Sequence, residues 1–112
     1  MTTSFNLSPI NCVMVNHKQK IRIPTQSIIM LEGHNNYTLF YLQNGKKKMY
    51  ARTIGHFEEL LENEHFIRVH RGFLVNSSCI ISYNKEDNKL YLQNNLEASI
   101  SRRRRKNLFG IC

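Results

Sequence analysis

The sequence predicts a mainly β fold with two short helices, in which most strands form antiparallel hairpins. Most apolar runs are only a few residues long, which is the length of a strand, and turn-forming Asn and Gly residues separate them. Only one segment, in the middle of the chain, carries apolar residues at helical spacing. A second helix is predicted near the C-terminus, where a serine precedes a run of basic residues.

The N-terminal part is predicted to form a hairpin followed by a longer strand. Two short apolar stretches flank a polar segment, and Pro24 ends the second stretch because it has no backbone N–H to donate. The next apolar run is followed by a polar cluster, which is predicted to be a loop. These segments are Cys12–Val15, the turn Asn16–Gln19, Ile21–Ile23, the strand Ser27–Glu32 and the loop Gly33–Asn36.

A second hairpin is predicted around Asn44-Gly45, a dipeptide in which both residues tolerate positive φ. Its strands are Tyr37–Gln43, which is rich in aromatic and aliphatic residues, and Lys46–Arg52. The lysine run Lys46–Lys48 indicates a solvent-facing or edge strand, because lysines discourage pairing of an edge with other chains.

The mid-chain helix is predicted to begin after a cap at Thr53 and to run to about Asn63. Its apolar residues fall at intervals of three and four, which places them on a core-facing stripe. This stripe consists of Ile54, Phe57, Leu60 and Leu61, and the glutamates Glu58, Glu59 and Glu62 fall on the other faces.

The C-terminal half is predicted to contain one short strand, one loop, a three-stranded meander and a basic helix. Ser101 is the predicted N-cap of that helix, and Gly110 is predicted to close it. The segments are the strand Phe66–Val69, the loop His70–Phe73, the meander strands Cys79–Tyr83, Lys89–Gln93 and Leu96–Ile100, and the helix Arg102–Leu108.

Length and composition predict a single domain spanning residues 1–112, with residues 1–10 as a flexible N-terminus. No apolar run approaches the roughly 20 residues that a membrane span needs, and the N-terminus lacks the features of a signal peptide. Three cysteines without a C-x-x-C pair fit neither a disulfide framework nor a zinc site. We therefore expect a cytoplasmic protein with reduced thiols and no membrane association.

The net charge and the few acidic residues limit the classes of function that the protein can have. The net charge of +8 favours a polyanionic partner, and four of the eight acids are concentrated in the mid-chain helix region. Asp87 is the only aspartate, which excludes a phosphate-accepting receiver and weighs against two-metal nuclease chemistry. Five scattered histidines offer no metal or nucleophile motif. We therefore expect no enzymatic activity, no cofactor and no metal.

Three segments carry side chains suited to nucleic acid. The run Arg102–Lys106 is read either as a solvated helix face or as a phosphate- and base-binding element, and its four arginines favour the second interpretation. The segments Gly33–Tyr37 and Arg68–Gly72 carry Asn, His and Arg, which read base edges but are also common in turns. The convergence of three such segments in one small domain favours binding.

At these same segments the chain resembles the LytTR family, the DNA-binding domains of LytR/AlgR-type bacterial response regulators. The resemblance covers about Ile21 to Leu108 and is most specific in Glu64–Asn76, with its Phe-x-Arg-x-His and Val-Asn pieces. Ile28–Glu32 before a polar loop ending in Tyr37, and Ile100–Arg103, support it. The resemblance implies an elongated stack of small antiparallel sheets with two short helices alongside.

The resemblance also implies a function and its residues. It implies a transcription regulator that binds repeated elements of double-stranded DNA, as two copies on a repeat, placing loops in successive major grooves and bending the duplex. The implied contacts are Asn35, Asn36 and Tyr37 in one loop, Arg68, His70 and Arg71 in a second region, and Ser101, Arg102 and Arg104 in a third; Arg105 joins them as a phosphate contact from its charge.

Some points stay open on the sequence. Arg71-Gly72 stands where the family usually has Ser or Asn, so the base read there is expected to differ. Asn76 is interpreted as bonding a backbone turn, and His70 either orients its loop or contacts DNA. No receiver precedes the domain, so we expect a stand-alone regulator, served by a separate sensor protein, or a piece of a longer one. The alternative function is a basic module for RNA or an anionic membrane surface.

Overall fold

The computed structural model describes residues 11–109, which form ten strands and two α-helices in that part of the chain. In chain order the elements are β1 (Cys12–Asn16), β2 (Ile21–Pro24), β3 (Ile28–His34), β4 (Tyr37–Leu42), β5 (Lys47–Tyr50), α1 (Ile54–Leu60), β6 (Phe66–His70), β7 (Phe73–Asn76), β8 (Ile80–Asn84), β9 (Lys89–Leu92), β10 (Leu96–Ser99) and α2 (Arg105–Phe109). The mainly β fold with two short helices is confirmed.

The strands form three antiparallel sheets. β1 and β2 form a two-stranded hairpin, and β8, β9 and β10 form the predicted meander in the order β10-β9-β8. The central sheet has five strands in the order β5-β4-β3-β7-β6. The predicted lysine-bearing strand, β5, lies at one edge of this sheet, and β6 lies at the other. The described chain measures 48 × 36 × 26 Å, which agrees with the elongated stack that was expected.

The central sheet separates two apolar cores. On one face, Leu31, Phe40 and Leu74 pack against α1 and the β1–β2 hairpin, and on the other, Ile29 and Val75 pack against the meander. A bulge in β3 between Ile28 and Met30 supports this arrangement, because an extra residue shifts the alternation of side chains between faces. Ile29 and Met30 therefore both lie in the core on the meander side, whereas Ile28 and Leu31 lie in the other core.

Helix α1 begins as predicted and ends early. The hydroxyl oxygen of Thr53 accepts a hydrogen bond from the His56 amide at 3.2 Å, which confirms the cap. The helix ends at Leu60 and not near Asn63, and Leu60 is exposed, so its place in the core stripe was wrong. At about 100° per residue, Leu60 lies about 120° from Ile54 around the axis, whereas Leu61 returns to within about 20°.

Three other boundaries differ from the sequence prediction. Gly33 and His34 belong to β3, because both pair with β4, so the predicted four-residue loop is a two-residue turn. β7 was not predicted; it pairs with β3 and β6 across a tight turn at Arg71-Gly72. Helix α2 begins at Arg105 and not at Arg102, and the closing Gly110 lies outside the described residues.

No helix among residues 11–109 is both long and apolar enough to cross a membrane.

Candidate nucleic-acid interface

The three segments singled out in the sequence meet at one end of the central sheet. The amide of Gly33 donates to the carbonyl of Gly72 at 3.0 Å, which joins the β3–β4 turn to the β6–β7 turn. The amide of Ser101 donates to the carbonyl of Val69 at 2.9 Å, which joins the third segment to β6. We call this surface the loop end and define it as the turns Asn35-Asn36 and Arg71-Gly72, with their flanking residues, and Ser101–Arg105.

The β3–β4 turn presents unengaged amide side chains. Asn35 has φ 54°, a left-handed conformation that Asn adopts more readily than most residues. His34 and Tyr37 pair across the turn, and all four residues from His34 to Tyr37 are exposed. Neither Asn35 nor Asn36 makes a side-chain hydrogen bond within residues 11–109. Tyr37 is 50% exposed, so its ring and hydroxyl face solvent beside the two amides.

Close packing holds this turn in place. A Cβ built on Gly33 would lie 3.0 Å from Ile54 Cγ2 and 3.2 Å from Ile54 Cβ. Ile54 is the first residue of α1, so a side chain at position 33 would press against the start of the helix. The position of the Asn35-Asn36 turn is therefore set by the packing of the strand that leads into it.

Arg68 braces the β6–β7 turn from inside. Its side chain is only 12% exposed, its Nε donates to the carbonyl of His70 at 2.9 Å, and its other nitrogens bond Glu58 and the carbonyl of Arg71. The two carbonyls belong to the last residue of β6 and the first residue of the turn, and Glu58 comes from α1. The guanidinium thus fastens the turn to the helix, and the predicted DNA contact by Arg68 is restricted to the small exposed part of the side chain.

His70 shapes the same turn and faces the arginines. Its Nδ1 accepts a hydrogen bond from the Gly72 amide at 3.0 Å, which assigns the ring proton to Nε2. Burial lowers the pKa of His70, and the charges of Arg71, Arg104 and Arg68 lower it further, so the ring is neutral at pH 7. The interpretation that His70 orients the loop agrees with this geometry, and Nε2–H stays available to a ligand.

The third segment is a turn that leads into α2. The hydroxyl and carbonyl oxygens of Ser101 both accept from the Arg104 amide at 3.2 Å, so Ser101 caps the turn as expected even though the helix begins later. Leu108 packs against the core on the meander side of the sheet and anchors the segment. Arg102 is exposed, whereas Arg104 is half-buried.

The cations of the loop end are poorly neutralised. Three ion pairs exist among residues 11–109, and none of them includes Arg71 or Arg102–Arg105. The nearby acids are engaged elsewhere: Glu58 pairs with Arg68, and Glu32 accepts a hydrogen bond from the Tyr41 hydroxyl at 2.6 Å. This bond and burial raise the pKa of Tyr41 to about 12, with burial the larger cause. The surface is suited to a polyanion.

Asn76 lies at the opposite end of the sheet and is structural. Its side chain is buried, donates to the carbonyl of Ile28 at 2.9 Å and accepts from the amide and hydroxyl of Ser78. These bonds fix the turn after β7, which agrees with the interpretation made from the sequence.

Two residues of the interface were not singled out in the sequence. Glu58 was regarded only as a solvent-facing helix residue, yet it anchors Arg68. Gly72 was regarded as a departure from the family pattern, yet its amide bonds His70 and its carbonyl bonds Gly33. No local pattern marks either role, because both depend on contacts between distant segments.

Comparisons with known proteins agree with this arrangement. The family model of the LytTr DNA-binding domain matches residues 18–111. Among solved structures, the fold is similar to the LytTr DNA-binding domain of a response regulator from Bacillus cereus, with a TM-score of 0.71 and 23% identity over 89% of this chain and 97% of that one. A comparison with curated proteins found no match. The chain therefore belongs to the LytTr DNA-binding domain family, a DNA-binding and not an enzymatic family that occurs in response regulators controlling transcription.

Proposed function

We propose that this domain binds duplex DNA sequence-specifically through its loop end and thereby regulates transcription in the cytoplasm. One observation carries the proposal. Three segments that are distant in sequence are hydrogen-bonded into one surface by Gly33–Gly72 and Val69–Ser101 backbone bonds, and this surface exposes amide and guanidinium groups without acidic partners. Such groups read base edges and bind phosphates.

The geometry supports a division of roles among the candidate residues. Asn35, Asn36 and Arg71 are exposed at turn tips without internal side-chain partners, so we assign them to base edges. Tyr37 and Ser101 offer hydroxyl groups for phosphate or sugar contacts. Three cations of the third segment, Arg102, Arg104 and Arg105, are assigned to phosphates. Arg68 and His70 hold the turn that presents Arg71, with contact of their own limited to His70 Nε2 and the exposed edge of Arg68.

A single copy of this surface is too small to specify a genomic site. Adjacent strands lie about 4.8 Å apart, so the five strand ends span about 19 Å, or about six base pairs at 3.4 Å each. A sequence of about six base pairs recurs about once in every 4,000, while a genome offers about 10⁶ or more competing sites. We therefore propose that two copies bind a repeated element.

The side chains argue against the two alternative partners. An RNA module needs exposed aromatic rings on its sheet, and only Tyr37 of the five tyrosines is exposed; Tyr50 packs edge-on against Phe40. A membrane-surface helix needs an unpacked apolar face, but Leu108 of α2 is packed into the core on the meander side.

Selection of bound duplexes from a random pool tests the proposal. We expect enrichment of a short motif that occurs twice at a fixed spacing, and single-stranded RNA should compete poorly with the selected duplex. Recovery of unrelated sequences, bound no more tightly than the starting pool, would contradict sequence-specific recognition. Enrichment of a single unrepeated motif would contradict only the two-copy arrangement.

A further inference from the structure

A basic groove lies beside the loop end and includes none of its three segments. It is lined by residues 15–18, from the end of β1 and its turn, and residues 49–52, from the end of β5, and it encloses about 380 Å³. Lys18, Arg52 and His17 contribute to its lining, whereas no carboxylate does. Lys18 lies in the turn after β1 and Arg52 follows β5, so neither side chain belongs to the core.

The two cations of the groove are not engaged within the protein. Lys18 and Arg52 are exposed, and neither takes part in an ion pair or a side-chain hydrogen bond within residues 11–109. Lys20, in the same turn as Lys18, is also exposed and unpaired in that part of the chain. An exposed lysine is ordinary by itself, but here Lys18 of the β1–β2 turn and Arg52, which follows β5, line the same groove.

The sheet places this groove next to the Asn35-Asn36 turn. Tyr50 of β5 pairs with Thr38 of β4, and the Thr38 hydroxyl donates to the Arg52 carbonyl at 2.7 Å. Arg52 is therefore level with the first residues of β4, immediately after the turn. In the strand order β5-β4-β3-β7-β6, the groove flanks the β5 edge, while Ser101–Arg105 flanks the β6 edge.

The width of the central sheet determines which part of the DNA lies against each of its edges. The strand ends span about 19 Å, whereas the major groove of B-DNA is about 12 Å wide. When the β3–β4 and β6–β7 turns enter one major groove, the β5 edge of the sheet cannot enter it with them. The β5 edge faces the sugar–phosphate backbone instead, and the compact basic groove beside it is suited to phosphate groups.

We propose that Lys18 and Arg52 form a second phosphate-binding site, which grips the DNA backbone on the side of the sheet opposite Ser101–Arg105. This inference rests on the proposed function, since it assumes that the loop end binds duplex DNA. It enlarges the DNA footprint, because cations beside both sheet edges hold the backbones while the β3–β4 and β6–β7 turns read bases. The groove carries affinity and orientation, and it carries no sequence preference.

The test compares two variants that lose the same charge. Lys18→Ala/Arg52→Ala removes the proposed site, and Lys46→Ala/Lys47→Ala removes two exposed lysines from the opposite end of the sheet. Affinity for a selected duplex and a random duplex is measured from low to high salt. Loss of two phosphate contacts should make the negative slope of log affinity against log salt shallower by about 1.8. It should also weaken binding to both duplexes roughly tenfold at 0.15 M salt. The control variant should keep the wild-type slope.

Two single substitutions identify the contacted group. Arg52→Lys should bind nearly as well as wild type, because lysine keeps the point charge that a phosphate needs and loses only the fork that guanine needs. Lys18→Gln should reduce the slope by about 0.9. All four side chains removed in the test are exposed, so thermal unfolding should stay close to wild type.

The outcomes separate this inference from the proposed function. If the double variant matches its control while wild type still selects its duplex, the groove is not a DNA site and the proposed function stands. If the double variant or Arg52→Lys loses affinity only for the selected sequence, the groove reads bases and the phosphate assignment is overturned. If wild type binds no duplex, both fall.

Discussion

Substitution of Arg68 distinguishes most clearly between a residue that contacts DNA and a residue that holds a DNA-contacting turn in place. Arg68→Ala removes two bonds to the turn carbonyls and the ion pair with Glu58. At about 1 kcal/mol for each bond and about 0.5 kcal/mol for a pair whose acid is 42% exposed, unfolding should become about 2–3 kcal/mol easier. Denaturant unfolding measures this loss directly as a lower midpoint at constant slope.

The substitution Glu58→Ala removes the partner of Arg68, and the bracing role and long-range electrostatics predict opposite changes in its DNA affinity. It deletes an acid and raises the net charge by one unit from +8, so long-range electrostatics alone predicts tighter DNA binding. If Arg68 acts by bracing the turn, loss of its partner should loosen Arg71 and weaken specific binding several-fold. Tighter binding by Glu58→Ala, together with unchanged stability and weaker binding by Arg68→Ala, would refute the bracing role and restore Arg68 as a direct contact.

Three further predictions concern the same end of the sheet. Arg71→Ala should lose about 1–3 kcal/mol of binding to the selected duplex and flatten the preference at one base pair, as measured against all four base pairs at each position; a uniform loss would make Arg71 a phosphate contact. The pKa of His70 is lower in the folded state, so its contribution to the free energy of unfolding should be fully present above about pH 6.5 and should be lost as the pH falls through the pKa of the folded state. Unfolding of His70→Gln should therefore depend less on pH between pH 7 and 5 than unfolding of the wild type. Gly33→Ala should destabilise the fold by about 1–3 kcal/mol through Ile54, and unchanged thermal unfolding would contradict the close packing.

Local signals in the sequence predicted the elements they control. Asn44-Gly45 predicted the β4–β5 turn, and Thr53 predicted the start of α1, because a turn and a cap depend on a few adjacent residues. The Asn-rich turns between short apolar segments likewise predicted the meander. The three candidate segments were singled out by the Asn, His and Arg side chains they carry, and the structure brings them together at one end of the sheet.

What the sequence did not predict depends on distant contacts. β7 is only four residues long and is defined by pairing with β3 and β6 on both sides. Gly33 and His34 looked like loop residues by composition, and pairing with β4 makes them a strand. The link between Glu58 and Arg68, like the groove between Lys18 and Arg52, joins elements that have no fixed relation in the sequence.

The measurement that tests the central claim most directly is a titration of the ¹⁵N-labelled domain with its selected duplex, followed by amide chemical shifts. We predict the largest changes at Asn35–Tyr37, His70–Gly72 and Ser101–Arg105, with smaller changes at Lys18 and Arg52. The opposite end of the sheet, around Asn44–Lys46 and Asn76, should stay unchanged. Changes centred on that opposite end, with a silent loop end, would contradict the account.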